Sequence, residues 1–392
     1  MTVEPRDPHA PDASRDPSLL TVATQWGRIG CVGFGGPPAH IALLRELCVD
    51  DRAWLSAREF EDAIAACNLL PGPASTQLAI FSAWRVAGPV GAVVGGAAFI
   101  LPGLVVILAL AALFLAGSPP TWVLGAGAGA GAAVAAVAVH AGADLIGPSW
   151  ARAPTRWRWL LYAPIGAATA ATVGPWLVLV LLGCGLVEVV WRVPERGEGL
   201  RAQVWPLVVS SAVGTGGLGA LAWLAFKVGA LSYGGGFVII PLMQGDAVHH
   251  YHWMTNTQFL DAVALGQITP GPVVQTVAVV GYAAAGIGGG LLAALVAFTP
   301  SFAFILLGAR HFGRLRDDDR VRAFLDGAGP AAIGAIVGVA IPLALALEQS
   351  WQYVVVGVAA VALFPLRRSV VFTLAGAGLI GAIAGQFGAP LP

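Results

Sequence analysis

Charged residues are scarce in this 392-residue sequence, where Asp, Glu, Lys and Arg together make up 11%. A soluble domain carries roughly 25% charged residues, so the composition excludes an ordinary soluble fold. Hydrophobic residues make up 57% of the chain, and the mean hydropathy is +0.78. They fall in continuous runs of about 20 residues, the length of a membrane-spanning helix, and do not alternate as in a membrane barrel. The sequence therefore predicts an all-α polytopic membrane protein.

Other features are missing, and each absence removes a class of function. The formal net charge is zero, which gives no basic surface for nucleic acid. The four cysteines form no CxxC pair and no P-loop motif occurs, so we expect no cofactor, no redox centre and no ATPase module. His249–His252 could bind a metal beside Asp246, but a solvated loop is favoured there and we expect no metal site. Residues 1–17 form a polar tail without the order of a signal peptide.

An internal repeat organises the rest of the chain. Residues Gly30–Pro73 align without a gap to Gly229–Pro272, and 14 of the 44 aligned positions are identical. The identities include Gly, Pro, Trp and Asp, which a shared apolar composition does not explain. We therefore divide the chain into the tail 1–17, a first transporter-like repeat over 18–200 and a second over 201–392.

The charges of the loops predict that the two repeats are inverted. The loop 45–58 holds three arginines, whereas the equivalent loop 244–257 holds no Lys or Arg. By the positive-inside rule, the first loop lies in the cytoplasm and the second lies outside. The apolar segments give five crossings per repeat if the stretch 59–87 is a hairpin that returns to its own side. An odd number of crossings inverts the second repeat, an architecture common among secondary transporters.

Each repeat also contains two breaks in its apolar runs. They are GFGGPP at 33–38 and NLLPGP at 68–73, then YGGG at 233–236 and QITPGP at 267–272. Since Pro and Gly interrupt helices, a half-helix should begin near Ala74 and near Val273. Helix N-termini present free N–H groups and a partial positive charge, so breaks that converge would form a site for a small anion. The alternative is that these residues only permit close packing or kinks.

Polar and charged side chains near the breaks are the candidate ligands. Amides and hydroxyls there either hydrogen-bond a ligand or cap and bridge helices. Arg28 and Lys227 occupy equivalent positions in apolar stretches, where they either offset an anion's charge or snorkel to the membrane surface. Asp62 and Asp261 are candidates to carry protons, the alternative being placement at a helix N-terminus. The polar candidates are Asn68, Ser75, Thr76, Gln77, Gln267, Thr269, Gln275 and Thr276.

The paired motifs resemble those of the chromate ion transporter (CHR) family in its long, two-domain form. The similarity rests on GFGGPPAHIALLRE and NLLPGPASTQLAIF in the first repeat, and on KVGALSYGGGFVIIPLM and QITPGPVVQTVAVVGY in the second. The family often has Ser where this chain has Gly33, whereas the second repeat keeps Ser232, so a hydroxyl ligand at this position, if the family uses one, would be missing from the first repeat only. The motif residues that it implies for substrate binding are Gly35, Gly36, Pro71, Gly72, Pro73, Ser232, Tyr233, Gly234, Gly235, Pro270, Gly271 and Pro272.

The resemblance also implies a function. It predicts a multi-pass secondary transporter of the cell membrane that exports chromate, exchanges it for protons and confers chromate resistance. Sulfate or another oxyanion is an alternative substrate, because chromate and sulfate are alike in charge, size and shape. A membrane-embedded reductase is the alternative from another class, but it needs redox ligands that the sequence does not show. The expected partners are therefore chromate or sulfate, protons and the lipid bilayer, and a homodimer is left open.

Overall fold

The fold is helical throughout the part of the chain that the structure describes. A computed structural model describes residues 17–173, 176–192, 217–232, 236–309 and 318–392, and these contain no β-strand. The predicted all-α class is therefore confirmed for these residues. Most of the polar tail and the link between the repeats, 193–216, lie outside the described residues.

The first repeat forms seven α-helices within the described ranges. A π-helical turn, Glu46–Asp51, extends the second of them. The helices are α1 (Leu19–Val32), α2 (Pro37–Arg45), α3 (Ala57–Leu69), α4 (Ala74–Phe114), α5 (Thr121–Arg152), α6 (Arg156–Thr172) and α7 (Leu177–Arg192).

The second repeat follows the same order of elements. Short 3₁₀ turns, Phe237–Ile239 and Val273–Gln275, precede its second and fourth helices, and a π-helical turn, Gly245–His250, follows the second. The helices are α8 (Leu218–Leu231), α9 (Ile240–Gln244), α10 (Asn256–Ile268), α11 (Thr276–Gly308), α12 (Asp319–Gly338), α13 (Ala340–Leu345), α14 (Ser350–Leu363) and α15 (Val370–Gln386).

Helix boundaries recur along the chain at the spacing of the sequence repeat. α1 and α8 have 14 residues each, α3 and α10 have 13 each, and the bounds within each pair lie 199 residues apart. Both π-helical turns coincide at the same spacing. Ser56 caps the start of α3 and Thr255 caps the start of α10, each as part of a capping box. Equivalent local sequences therefore fix equivalent helix starts.

A sharp reversal divides α4 and α11. At Ala87–Gly88 the φ angles are −142° and +66°, and at Ala285–Gly286 they are −153° and +62°. A positive φ suits glycine, which explains the second residue of each pair. Beyond the first reversal the chain runs back along itself, because a Cβ built on Gly91 would lie 2.7 Å from the carbonyl oxygen of Ala83.

The reversal makes α4 two helices, 74–86 and 89–114. The first, like α3, has 13 residues. At 1.5 Å per residue, helix 74–86 and α3 each span about 20 Å, which is less than the thickness of the hydrocarbon core, about 30 Å. These lengths suit a hairpin that does not cross, as the sequence predicts for 59–87. Among the described residues, four helical stretches are long and apolar enough to cross a membrane: Thr121–Arg152, Asp319–Leu345, and the two that include the reversals, Ala74–Phe114 and Val273–Gly308.

Helices of the two repeats pack against each other. α5 contacts α10, α14 and α15 of the second repeat, and α12 contacts α6 and α7 of the first. Small residues allow these approaches, since Gly166 of α6 faces the carbonyl oxygen of Ala331 on α12. Large apolar side chains such as Val105 and Leu295 are exposed on the outside. The outer surface therefore suits contact with lipid.

Candidate functional site

The four breaks meet in two crossed pairs. The N–H of Gly72, in the first Pro-Gly-Pro loop, donates a hydrogen bond of 2.8 Å to the carbonyl oxygen of Ser232 at the end of α8. The N–H of Gly271, in the second loop, donates one of 3.1 Å to the carbonyl oxygen of Gly33 at the end of α1. The donors Gly72 and Gly271 occupy equivalent positions in the two repeats, and so do the acceptors Gly33 and Ser232. Each Pro-Gly-Pro loop is therefore held by the first break of the other repeat.

One group of polar residues surrounds the first Pro-Gly-Pro loop. A Cβ built on Gly72, whose φ is +120°, would lie 2.6 Å from Gln77 Nε2 and 3.2 Å from Ser301 Oγ. Only glycine brings the backbone this close to those polar atoms. The amide of Gln77 is fixed because its Nε2 donates to the carbonyl oxygen of Pro71 at 2.7 Å. We define the Gly72 site as Pro71–Pro73, Gln77, Ser232 and Ser301.

The second Pro-Gly-Pro loop has a different lining. A Cβ built on Gly271, whose φ is +93°, would lie 3.2 Å from Gln275 Nε2. His40 Nε2 donates to the carbonyl oxygen of Gly33 at 2.9 Å, and His40 Nδ1 lies 3.2 Å from the hydroxyl oxygen of Ser75. We define the Gly271 site as Gly33, His40, Ser75, Gly103, Gly271 and Gln275.

Half-helices begin at both loops where the sequence predicts them. α4 begins at Ala74, and the 3₁₀ turn Val273–Gln275 leads into α11. No side chain of the described residues caps either start. In the turn Val273–Gln275 the N–H of Gln275 already donates to the carbonyl oxygen of Pro272, whereas the first turn of α4 has an uncapped N-terminus, and such helix ends attract anions.

Buried polar atoms without a hydrogen bond to any described residue concentrate at the breaks. Buried polar groups are nearly always satisfied by protein or water, so a cluster of exceptions marks a place where a further partner binds. Hydroxyls, which can donate, and amide oxygens, which only accept, both occur among them. The atoms at or beside the two loops are Thr76 Oγ1, Gln77 Oε1, Ser232 Oγ, Gln267 Nε2, Gln275 Oε1 and Ser301 Oγ.

Three other polar candidates lie outside this group of unsatisfied atoms. The hydroxyls of Thr269 and Thr276 donate to the carbonyl oxygens of Leu265 and Val273 at 2.8 Å, as helix residues commonly do. Asn68 is exposed near the first Pro-Gly-Pro loop. These three side chains are therefore not part of the unsatisfied cluster.

The glycine-rich break is described in full in the first repeat and at Gly236 alone in the second. Gly35 and Gly36 have φ values of +98° and +74°, which turn the chain between α1 and α2. Their counterparts Gly234 and Gly235, together with Tyr233, lie outside the described residues.

The two predicted cations are placed differently. Lys227 forms an ion pair with Asp246 of the π-helical turn and lies 5.8 Å from the ring centre of Trp223. The Lys227 and Asp246 side chains are only 21% and 12% exposed, so each offsets the other's charge. Arg28 is exposed on α1, and Leu47 occupies the position equivalent to Asp246. An anion-binding role for either cation stays a prediction.

The two predicted proton carriers also differ. Placement at a helix N-terminus is wrong for both, because each lies in the second turn and Glu59 occupies the first turn of α3. Asp62 is exposed, whereas Asp261 is buried on α10. A Cβ built on Gly127 of α5 would lie 2.6 Å from Asp261 Oδ1, which accepts no hydrogen bond from the described residues.

Three residues of these sites escape the sequence argument, namely His40, Ser301 and its aligned counterpart Gly103. His40 follows the GFGGPP motif, but it has no polar equivalent in the second repeat to draw attention to it. Ser301 lies beyond a one-residue change of register, after which Pro300 aligns with Pro102 and Ser301 aligns with Gly103. An alignment of the repeats that allows a gap would have brought Ser301 to attention.

An all-α bundle of two packed repeats, with apolar outer surfaces and helix breaks paired inside it, defines a multi-pass membrane transporter. The sequence model of the family described as Chromate transporter matches residues 20–189 and 219–382. The chain belongs to this family. It is accordingly a transporter and not an enzyme.

Several relatives are similar over most of their length. The chain is 32% identical over 401 residues to the chromate transport protein of Cupriavidus metallidurans, covering 96% of this chain and 98% of that protein. It is 29% identical over 377 residues to that of Pseudomonas aeruginosa, covering 90% and 89%. It is 28% identical over 339 residues to the probable chromate transport protein of Synechococcus elongatus, covering 83% and 84%. No solved structure matches the chain.

Proposed function

We propose that the chain exports chromate across the plasma membrane in exchange for protons, and so confers chromate resistance. Family membership and the relatives named for chromate transport support the substrate. The observation that carries the proposal is the crossed pairing of Gly72 with Ser232 and of Gly271 with Gly33. This pairing places two half-helix N-termini beside buried, unsatisfied polar groups, which is the environment that an anion requires.

Electrical energy favours export of a dianion. The interior of a cell is negative, and moving one elementary charge through 100 mV is worth about 2.3 kcal/mol, or about 4.6 kcal/mol for two charges. No P-loop occurs in the sequence, so the membrane potential and an ion gradient are the available driving forces.

Asp261 carries the exchanged proton in this proposal. An ionised carboxylate is costly to bury unless it is paired, and Asp261 Oδ1 has no hydrogen bond from the described residues. Protonation would remove this cost, so the charge state of Asp261 can change during a transport cycle. Asp62, at the equivalent position, is exposed and suits this role less.

Everted membrane vesicles from cells that express the chain test the function. Respiration makes their lumen positive and acidic, so chromate should accumulate inside and a protonophore should abolish the accumulation. The accumulated metal should be recovered as unchanged chromate, which excludes a reductase. If the vesicles take up labelled sulfate but not chromate, sulfate is the substrate and chromate is not. Uptake of neither anion would overturn export.

Inversion of the repeats needs its own test. Ala53 and His252 are equivalent, exposed, and share a left-handed backbone with φ of +48° and +53°. Single cysteines at these positions, with Cys31 and the three buried cysteines replaced, should react with a membrane-impermeant thiol reagent from opposite sides. Reaction of both from one side would show that the repeats are parallel.

A further inference from the structure

The two break sites are equivalent by position and different in chemistry. Ser232 at the Gly72 site aligns with Gly33 at the Gly271 site through the 199-residue spacing of the repeats. Ser301 aligns with Gly103 through the spacing of 198 residues that separates the two chain reversals. The first site therefore has two serines where the second has two glycines.

Protein atoms fill the Gly271 site at the position of the first missing hydroxyl. A Cβ built on Gly33 would lie 2.7 Å from His40 Cδ2, so the imidazole occupies the space of a serine side chain. His40 is completely buried, and its Nε2 donates to the carbonyl oxygen of Gly33. The Ser75 hydroxyl satisfies the other ring nitrogen. This ring therefore needs no further partner.

The position of the second missing hydroxyl is closed as well. A Cβ built on Gly103 would overlap the carbonyl oxygen of Pro270 and would lie 2.6 Å from Gln275 Oε1. The unsatisfied atom here is that amide oxygen, which accepts hydrogen bonds and repels the oxygens of an anion.

The Gly72 site has the equivalent unsatisfied amide oxygen, Gln77 Oε1, but it adds two serine hydroxyls that the Gly271 site lacks. Ser232 and Ser301 are completely buried, and neither hydroxyl bonds to any residue in the described ranges. Ser301 Oγ lies 3.2 Å from the Cβ position of Gly72, so it faces the loop. Both hydroxyls can donate, and the first turn of helix 74–86 begins at the same loop. The site thus combines two free donors with a helix N-terminus.

We propose that the chain binds one tetrahedral oxyanion, at the Gly72 site, with the hydroxyls of Ser232 and Ser301 donating to its oxygens. The Gly271 site is a protein-filled counterpart that binds no anion. This assignment rests on the proposed function, since it locates the substrate of that function. Hydroxyl donors recognise chromate and sulfate alike, so both anions should occupy the same site.

Titration calorimetry of the purified full chain with chromate tests this assignment. We expect one chromate per chain. Ser232→Ala and Ser301→Ala should each weaken binding about tenfold or more, the effect of losing a hydrogen bond to a charged group. Ser82→Ala removes a buried hydroxyl that donates to the carbonyl oxygen of Leu78 within helix 74–86, and it is the matched control, with binding unchanged within about twofold.

Thermal unfolding of the same variants separates binding from folding. Because the hydroxyl of Ser301 lacks a partner in the described structure, Ser301→Ala should melt at or above the parent temperature. Two chromates per chain, or binding that survives the double alanine variant, would overturn the single site and leave the proposed function standing. A parent chain that binds neither chromate nor sulfate would overturn both.

Discussion

The hairpin helices α3 and α10 start and end at equivalent residues, yet their surroundings are opposite. α10 packs against α5 and α15, whereas α3 packs mainly against α4. One face of α3 is therefore exposed, and the same face of α10 is covered. The exposed polar residues of that face are Arg58, Glu59, Glu61, Asp62 and Asn68, and their counterparts Thr257, Gln258, Leu260, Asp261 and Gln267 are half-buried or buried.

This difference shows that two repeats can keep the same secondary-structure elements while the chemistry of their side chains differs. Capping boxes, Pro-Gly-Pro loops and chain reversals recur in both halves because local sequence determines them. The partly buried ion pair of Lys227 with Asp246 and the buried Asp261 have no equivalent in the first half, where Arg28, Leu47 and the exposed Asp62 stand at these positions. If the repeats are inverted, as we propose, one covered and one open hairpin would correspond to one state of a transport cycle, and exchange of the two environments would correspond to the other.

The largest effect should come where the halves are most alike. Gly30 faces the carbonyl oxygen of Phe99, and Gly229 faces that of Ala297, so close that an added Cβ overlaps the oxygen in both. Gly30→Ala and Gly229→Ala should each lower the free energy of unfolding by about 3 kcal/mol, through overpacking. The measurement is thermal unfolding of purified variants.

Gly27→Ala is the control on the same face of the bundle. Its Cβ would lie 3.8 Å from the nearest atom, which is ordinary contact, and alanine favours a helix, so stability should hold or rise. If Gly229→Ala melts like Gly27→Ala, the second half is packed more loosely than the first and the likeness of the halves breaks down.

The second prediction separates the two equivalent carboxylates. Asp261→Asn should lower proton-driven chromate uptake into everted vesicles about tenfold or more, because the amide cannot release a proton, and chromate binding to the purified chain should persist. Asp62→Asn should leave uptake near the parent level, since Asp62 lies on the exposed face of α3. Equal losses in the two variants would mean that the burial of Asp261 has no part in coupling.

The third prediction concerns the two cations. Lys227→Gln leaves Asp246 buried without its partner and should cost on the order of 2 kcal/mol of folding stability, less than for a fully buried pair. Arg28→Gln, on the exposed surface, should change stability by less than about 0.5 kcal/mol. Chemical or thermal unfolding of both variants measures the contrast.

A double variant identifies the cause. Lys227→Gln combined with Asp246→Asn removes both charges and should recover most of the stability that the single Lys227 variant loses. If Lys227→Gln instead folds like the parent but binds chromate more weakly, the lysine serves the anion and the ion pair is incidental.

The sequence predicts those parts of the molecule that local signals determine. Two breaks per repeat, the helix start at Ala74 and the hairpin limits near 59–87 follow from Pro, Gly and apolar runs. It could not show that Gly72 bonds to Ser232, because that contact joins residues from different repeats. Nor could it show that Asp261 is buried and Asp62 exposed, because the neighbouring helices decide this and the two residues are identical.

The smallest effect should distinguish two strained turns. Ala53 and His252 share a left-handed backbone, which costs about 1–2 kcal/mol for a residue with a side chain. Ala53→Gly relieves this strain but adds freedom to the unfolded chain, so it should stabilise the protein by about 0.5–1 kcal/mol. His252→Gly should gain less, because His252 Nδ1 donates to the carbonyl oxygen of Val248 at 2.8 Å and that bond is lost. Differential scanning of both variants beside the parent measures the difference, and an equal gain in both would mean that the histidine bond adds nothing to the turn.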